Sequence, residues 1–201
     1  MMKILCSPTS PYSSKVRMAA RHLGLKYMEV NVDTNADPAD LTGSNPLGKI
    51  PVLVHGKGKA VYDSRAIMQW LDRKSGGALY PEKPRKRTEA EVLEALADGI
   101  CDCLLAIVYE GRMRPEEKRH EPIVERQWSK VARALAVLEN DPPKLGKTLH
   151  GGHFAMAAMI GYLGLRFAGK WEADHPALIA WALKFADRFP HFAAMKPQVA
   201  G

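Results

Sequence analysis

The stretch SPTSPYSSKV, residues 7–16, sets five aliphatic hydroxyls, one phenol and two prolines in ten residues, directly after the apolar run ILC. Such hydroxyls donate to an anion, cap a helix, or bond only water. Proline is favoured at the first helical position, where its missing N–H costs nothing, so Pro11 marks Ser10 as an N-cap. A hydroxyl placed there lies beside unpaired backbone N–H groups and the positive end of the helix dipole, a setting that stabilises negative charge. Asp63 and Ser64 repeat the pattern: both are good capping types, and they stand just ahead of Ile67, Met68 and Leu71 at helical spacing.

The other reactive side chains are less promising. Cys6, Cys101 and Cys103 are odd in number and lack framework spacing, so no structural disulfide is expected. Cys101 and Cys103 fall in a helical pattern that turns them about 200° apart around the axis, which argues against a shared metal. His150 and His153 flank two glycines in LHGGHF with no carboxylate or thiol at ligand spacing, so no metal site is expected there. The formal net charge is +7, yet its densest basic run, KPRKR at 83–87, lies in a proline-bearing stretch with few aromatic neighbours and reads as a solvated connection. No nucleic-acid partner is expected, although a positive surface favours small anionic ligands. No apolar run approaches the roughly 20 residues that span a bilayer, so no membrane partner is expected. The opening MMKILCSPTS lacks the apolar core and cleavage site of a secretory signal, so a cytoplasmic location is expected.

The elements that carry these residues follow from periodicity. KILC, residues 3–6, reads as a buried strand; Val16, Ala19, Ala20 and Leu23 mark a helix stopped by Gly24; alternation returns in KYMEVNVD. A turn-rich segment, 33–45, leads into IPVLVHGKGKAVY, two short strands joined by a glycine turn. A helix from Asp63 to Gly76 completes βαβ-ββα. After residue 80 every pattern is helical: a long helix through Val92, Leu96, Ile100, Leu104 and Val108, a second through Val124, Trp128, Val131, Leu135 and Leu138, and shorter ones near 155–168 and 177–188. The expected architecture is an α/β domain over 1–80, a linker over 81–87 and an all-helical domain over 88–201.

Taken together, SPTSPYSSKVR, NPLGKIPVLV, VYDSRAIMQWLD, the basic linker and the late HPALIAWALKFADRFPHF resemble the cytosolic glutathione S-transferases, in particular bacterial, serine-type members. The resemblance covers nearly the whole chain and is most specific in its first half. It implies a thioredoxin-like N-terminal domain that binds glutathione as co-substrate, a helical domain that receives a small hydrophobic electrophile, and a homodimer. It also implies a cis bond between Ile50 and Pro51, which turns the Ile50 backbone towards the cleft so that an extended tripeptide can pair with it like an added strand. Ser64 is then expected to hold the γ-glutamyl carboxylate and Asp63 to face the amine, although the family more often has glutamate at the Asp63 position. Lys49 is expected near the glycyl carboxylate.

The implied chemistry is ionisation of a thiol. Glutathione's thiol has a cysteine-like pKa of about 8.5, and lowering it by about two units takes roughly 2.7 kcal/mol of preferential stabilisation of the anion. One hydrogen bond to a charged acceptor contributes about 1.5–3 kcal/mol. Ser10 is the expected donor, since the serine before Pro-aromatic is the thiol-contacting residue in several transferase classes; Ser13 and Ser14 follow it, and Tyr12 comes after them. Tyr12, Ser13, Tyr109 and Arg112 are expected around the electrophile, and Asp98 is expected to reach the amine bound in a neighbouring subunit. A serine at position 10 cannot form the mixed disulfide that a cysteine there would, so reductase activity through the protein's own thiol is disfavoured. Peroxidase activity and a non-catalytic scaffold role remain as alternatives. One departure stands out: family members usually have serine or threonine at Ala155 and aspartate at Ala158, forming a helix-starting capping box, so either lower stability or a substituted cap is expected.

Overall fold

The structure, a computed structural model, describes residues 1–199. Its first half is a four-stranded sheet with helices packed on it. The strands are β1 (Met2–Cys6), β2 (Tyr27–Asn31), β3 (Val52–His55) and β4 (Lys59–Val61); α1 (Pro11–His22), a short α2 (Ala39–Thr42) and α3 (Ser64–Lys74) accompany them. The sheet order is β2-β1-β3-β4, with β1 and β2 parallel and the other neighbours antiparallel. β1 and β2 are joined by α1, as a parallel pair requires a crossover. β3 and β4 form the expected hairpin, with Leu53 opposite Val61. β2 lies at the sheet edge and buries neither face fully: Met28 is 46% exposed, although its alternation is regular. The thioredoxin-like N-terminal half and the helical C-terminal half expected from the sequence are both present.

The helices of the second half are α4 (Pro84–Met113), α5 (Glu121–Asn140), α6 (Gly151–Arg166), α7 (Pro176–Arg188) and a short α8 (Phe192–Met195). α6 runs through the centre, buried along most of its length, and packs against both α1 and α4. A continuous apolar core joins α1 and α3 to α4, α6 and α7, including the edge-to-face rings of Phe154, Phe185 and Phe192. α4 starts at Pro84, inside the stretch read as linker, because proline at N1 is compatible with a helix start. Three basic residues of KPRKR are therefore helical and paired: Arg85 and Lys86 reach Glu89 at 3.1 and 2.6 Å, and Arg87 reaches Asp72 at 2.9 Å and Glu91 at 3.0 Å, while Lys83 is the N-cap.

α6 carries a substituted cap, as one of the two expectations had it, but earlier in the chain than Ala155. Ala155 and Ala158 lie inside the helix, both buried, and the cap is five residues before Ala155, at His150. The His150 N–H donates to His153 Nδ1 at 3.2 Å, and His153 Nε2 meets the Lys144 carbonyl at 3.2 Å, so the accepting Nδ1 fixes the proton on Nε2. This is half of a capping box, with a histidine in place of the usual N3 acid. The His150 ring stacks on it, centroids 3.5 Å apart, and its Nδ1 is buried without a partner among the described residues. Both glycines between them are there for space: a Cβ on Gly151 would lie 2.5 Å from the Tyr80 ring, and one on Gly152 would lie 2.6 Å from the Ala90 carbonyl oxygen.

Candidate active site

Between the two halves lies a cleft of about 660 Å³. One wall comes from the N-terminal half: the β1–α1 turn (Ser7, Thr9, Ser10, Pro11, Tyr12), the segment before β3 (Gly48, Lys49, Ile50, Pro51) and the start of α3 (Asp63, Ser64, Arg65). The other comes from α4 and α6: Asp98, Asp102, Leu105, Ala106, Tyr109 and Arg112 on α4, Tyr162 and Arg166 on α6. Sheet topology explains the first wall, since the C-terminal end of β1 and the N-terminal ends of α1, β3 and α3 meet at the same edge.

Ser10 is the N-cap of α1, with extended backbone (φ −81°, ψ 123°), and its Oγ accepts the Ser13 N–H at 3.2 Å. That bond uses an oxygen lone pair and leaves the hydroxyl proton available to an acceptor in the cleft. The Ile50–Pro51 peptide is cis, and Ile50 is half-buried at the cleft wall. Asp63 caps α3, accepting the Arg65 N–H at 3.0 Å, while Ser64 opens the helix at 4% exposure. Lys49, exposed, lines the cleft and takes part in no ion pair among the described residues.

Two hydroxyls leave the site. Ser13, expected at the cleft, is fully buried instead, and so is Ser14, whose Oγ donates to the Met195 carbonyl at 2.6 Å. The reason is depth along α1: Ser13 and Ser14 lie one turn further in than Ser10, where the helix is covered by the C-terminal half and Ser14 meets Met195. Tyr12 does line the cleft, but its hydroxyl donates to Asp102 Oδ1. Burial first, and then that bond to a carboxylate, push its phenol up, so it remains a neutral donor. Cys6 is core: burial pushes its thiol up to about 11, which leaves little thiolate at neutral pH.

The largest feature missing from the sequence reading is a buried ionic seam beneath the cleft. Glu94, Asp98 and Asp102 recur every four residues along α4, so they share one face. Lys15 of α1 inserts among them at 1% exposure, its Nζ 2.9 Å from Glu94 Oε1 and 2.7 Å from Asp98 Oδ2. Arg65 of α3 approaches Asp98 at 3.3 Å and Asp102 at 3.9 Å, and Tyr80 donates to Glu94 Oε2. Asp98 is thus enclosed by Lys15 and Arg65 of its own chain, at 3% exposure, and lines the cleft floor. Burial pulls the Lys15 ammonium down, but Asp98 and Glu94 outweigh it and hold the group above its ordinary value. Burial also raises the Asp98 carboxyl, against the pull of Lys15. The four-residue acidic repeat was visible in the sequence; the lysine that completes it was not, because it lies some 80 residues away.

Among the described residues no group of three or more His, Cys, Asp or Glu side chains could hold a metal ion, and no helix is long and apolar enough to cross a membrane.

Residues 9–74 match the N-terminal domain of the glutathione S-transferases. The chain is 34% identical over 184 residues to the uncharacterized GST-like protein YibF of Escherichia coli K12, spanning 89% of this chain and 90% of that relative. A crystal structure of a glutathione S-transferase from Methylobacillus flagellatus, with glutathione bound, superposes with a TM-score of 0.90 at 35% identity, covering 98% of this chain and all of the other (100%). A glutathione transferase family member from Pseudomonas fluorescens Pf-5, with bound S-(propanoic acid)-glutathione, gives 0.86 at 34% identity over 99% of this chain and 100% of the other.

Proposed function

For a chain that belongs to the glutathione S-transferase family, we propose that it binds glutathione, ionises its thiol with the Ser10 hydroxyl and transfers the sulfur to a small electrophile. One observation carries this reading: the hydroxyl of Ser10 opens, at the N-terminus of α1, onto the same cleft as the Ile50–Pro51 segment and the Asp63–Ser64 helix start. An extended peptide paired with Ile50 and anchored by its carboxylate at Ser64 would direct its thiol along the wall towards Ser10. There the free O–H donates to the sulfur while the cap bond holds the oxygen in place. The α1 dipole adds to that single charge-assisted bond, and together they match the roughly 2.7 kcal/mol needed for a two-unit shift. Lys49 would meet the glycyl carboxylate and Asp63 the amine.

The first-half wall is polar and fixed, while Leu105, Ala106, Tyr109 and Tyr162 give the opposite wall apolar surface for an acceptor. Relatives crystallised with glutathione, and one with glutathione whose sulfur bears a propanoic acid group, support the assignment of the tripeptide and an open path beyond its sulfur. Buried Cys6, with its raised thiol, favours conjugation over a reductase that would use the protein's own sulfur.

Ser10→Ala tests the proposal. Ultraviolet titration of bound glutathione should give a thiol pKa near roughly 6.5 in the wild type, returning by about one to two units towards 8.5 in the variant. Turnover should fall on the order of tenfold or more at neutral pH, with glutathione affinity changed far less. An unshifted thiol in the wild type would favour the scaffold alternative; equal small effects on turnover and affinity would remove Ser10 from the mechanism.

A further inference from the structure

The charges around the cleft divide into those with partners and those without. Asp98 and Asp102 are engaged by Lys15, Arg65 and Tyr12. Arg112 and Arg166, in the last turns of α4 and α6, take part in no ion pair among the described residues. Glu110, the acid nearest Arg112 in sequence, is taken by Arg114 at 3.1 Å and by the His120 N–H at 3.0 Å, and Glu172, the nearest to Arg166, accepts the Gly169 N–H at 2.8 Å. Arginine near a helix C-terminus complements the dipole and by itself means little. Arg166 goes further, since its Nε is buried with no acceptor among the described residues, a state that buried polar groups rarely keep without a partner.

We propose that the electrophile received by this cleft carries a carboxylate, held by Arg112 and Arg166 with its body against Leu105, Tyr109 and Tyr162. This rests on the transferase reading above and narrows its acceptor from a hydrophobic electrophile to an anionic one. Guanidinium groups take a carboxylate through paired N–H bonds, and the phenol of Tyr162, 4% exposed, adds a neutral donor. Burial raises that phenol, and Arg166 and Arg112 both oppose the rise, so the two guanidiniums lie within electrostatic reach of one hydroxyl. Neither arginine is needed for glutathione, whose charges are met on the opposite wall by Lys49, Asp63 and Ser64. Two cations beside the thiolate's target would otherwise have only water to bind.

The test compares 4-chloro-3,5-dinitrobenzoate with its methyl ester. In both, the thiolate lone pair forms the S–C bond at the chlorine-bearing carbon, the ring and nitro groups hold the charge, the C–Cl bond breaks and chloride leaves; the thiol proton goes to solvent. Catalysed rates are divided by the uncatalysed rate of each compound. The wild-type acid-to-ester ratio of kcat/KM should be roughly tenfold or greater, the size of a charge-assisted bond. It should fall towards about one in R112Q/R166Q, with a higher KM for the acid, and be partly restored by Arg166→Lys. A wild-type ratio near one, which needs no variant, overturns the proposal, as does a ratio that the double substitution leaves intact. Calorimetry with S-(4-carboxybenzyl)glutathione and S-benzylglutathione separates this from failure of the transferase reading. If neither chlorobenzoate is turned over yet the carboxylate analogue binds more tightly only when both arginines are present, transfer fails and the anion site stands. Equal binding of the two, or none, overturns the anion site.

Discussion

Lys15→Met removes the charge from the seam while keeping an unbranched stem of similar length, so packing changes little. Glu94 and Asp98 remain, with side chains 7% and 4% exposed in the native chain. Asp98 keeps Arg65 at 3.3 Å and Glu94 keeps only the Tyr80 hydroxyl. Breaking a buried pair by deleting one partner costs about 3–5 kcal/mol. A second route gives the same size: protonating one carboxyl of ordinary pKa near 4 at pH 7 costs about 1.36 kcal/mol per unit, or roughly 4 kcal/mol. For a chain of this length that lowers the melting temperature by about 6–20 °C. The sign with pH is opposite to the usual acid loss. The stranded carboxyl has a folded pKa raised above its unfolded value, so the variant recovers relative to wild type as pH falls from 7 to 5, by up to about 1.4 kcal/mol per unit. Urea unfolding at both pH values measures this. The neutral triple K15M/E94Q/D98N should lose less than the single variant, because no bare charge is left. A single variant within 1 kcal/mol of wild type, or a triple no better than it, would refute the claim that the seam is held by charge balance.

Gly152→Ala should destabilise by about 1–3 kcal/mol, since its Cβ would press on the Ala90 carbonyl oxygen at 2.6 Å and backbone cannot give way as a side chain would. Gly164→Ala in the same helix meets nothing within 4 Å and should be neutral or stabilise by roughly 0.5–1 kcal/mol; like denaturation midpoints for the two would contradict the close approach of α6 to α4. His150 and His153 have pKa values lowered by burial first, to about 4 and about 3. Stability should therefore be level above about pH 6.5 and decline as pH falls from there towards 4, where the unfolded chain takes protons the folded chain refuses. Each imidazole should forgo about 2 kcal/mol by pH 5, and His153→Asn, which keeps an acceptor for the cap, should roughly halve the slope; a slope unchanged by the substitution would place its origin elsewhere.

The periodicities that located β1, α1, the β3–β4 hairpin, α3 and the helices of the second half depend on near neighbours in the chain, which is why they were readable. The β1–α1 turn and the α3 start were also legible, because capping chemistry is local, whereas the cis proline came only with the resemblance to the transferases. Residues facing one another across the cleft were not. Arg166 and Tyr162 sit on a helix so apolar that its polar positions gave no periodic signal. Ser13 was misplaced because one turn of helix takes the chain from the cleft rim to a depth covered by the C-terminal half, and a run of hydroxyls hides that burial. The α6 cap was misread by five residues since histidine occupies places where serine and aspartate are the usual signs; the pair HGGH was noticed, but only as a weak metal motif.

The seam and the proposed chemistry meet in α1. Ser10 caps this helix, Tyr12 two residues on is tied to Asp102, and Lys15 within the next turn is tied to Glu94 and Asp98. The Ser10 hydroxyl thus stands at the end of a helix pinned twice to α4, the helix that also carries Leu105, Tyr109 and Arg112 along the opposite wall. From Glu94 to Arg112 α4 rises about 27 Å at 1.5 Å per residue, so its middle turns fix α1 while its last turns line the acceptor end of the cleft. Sliding or tilting α1 would have to break buried charge pairs, and this sets the distance between thiol donor and acceptor pocket without any direct contact between them. Loosening the seam should therefore reduce turnover even where folding survives, because alignment of sulfur and acceptor to within about an ångström governs the rate of transfer.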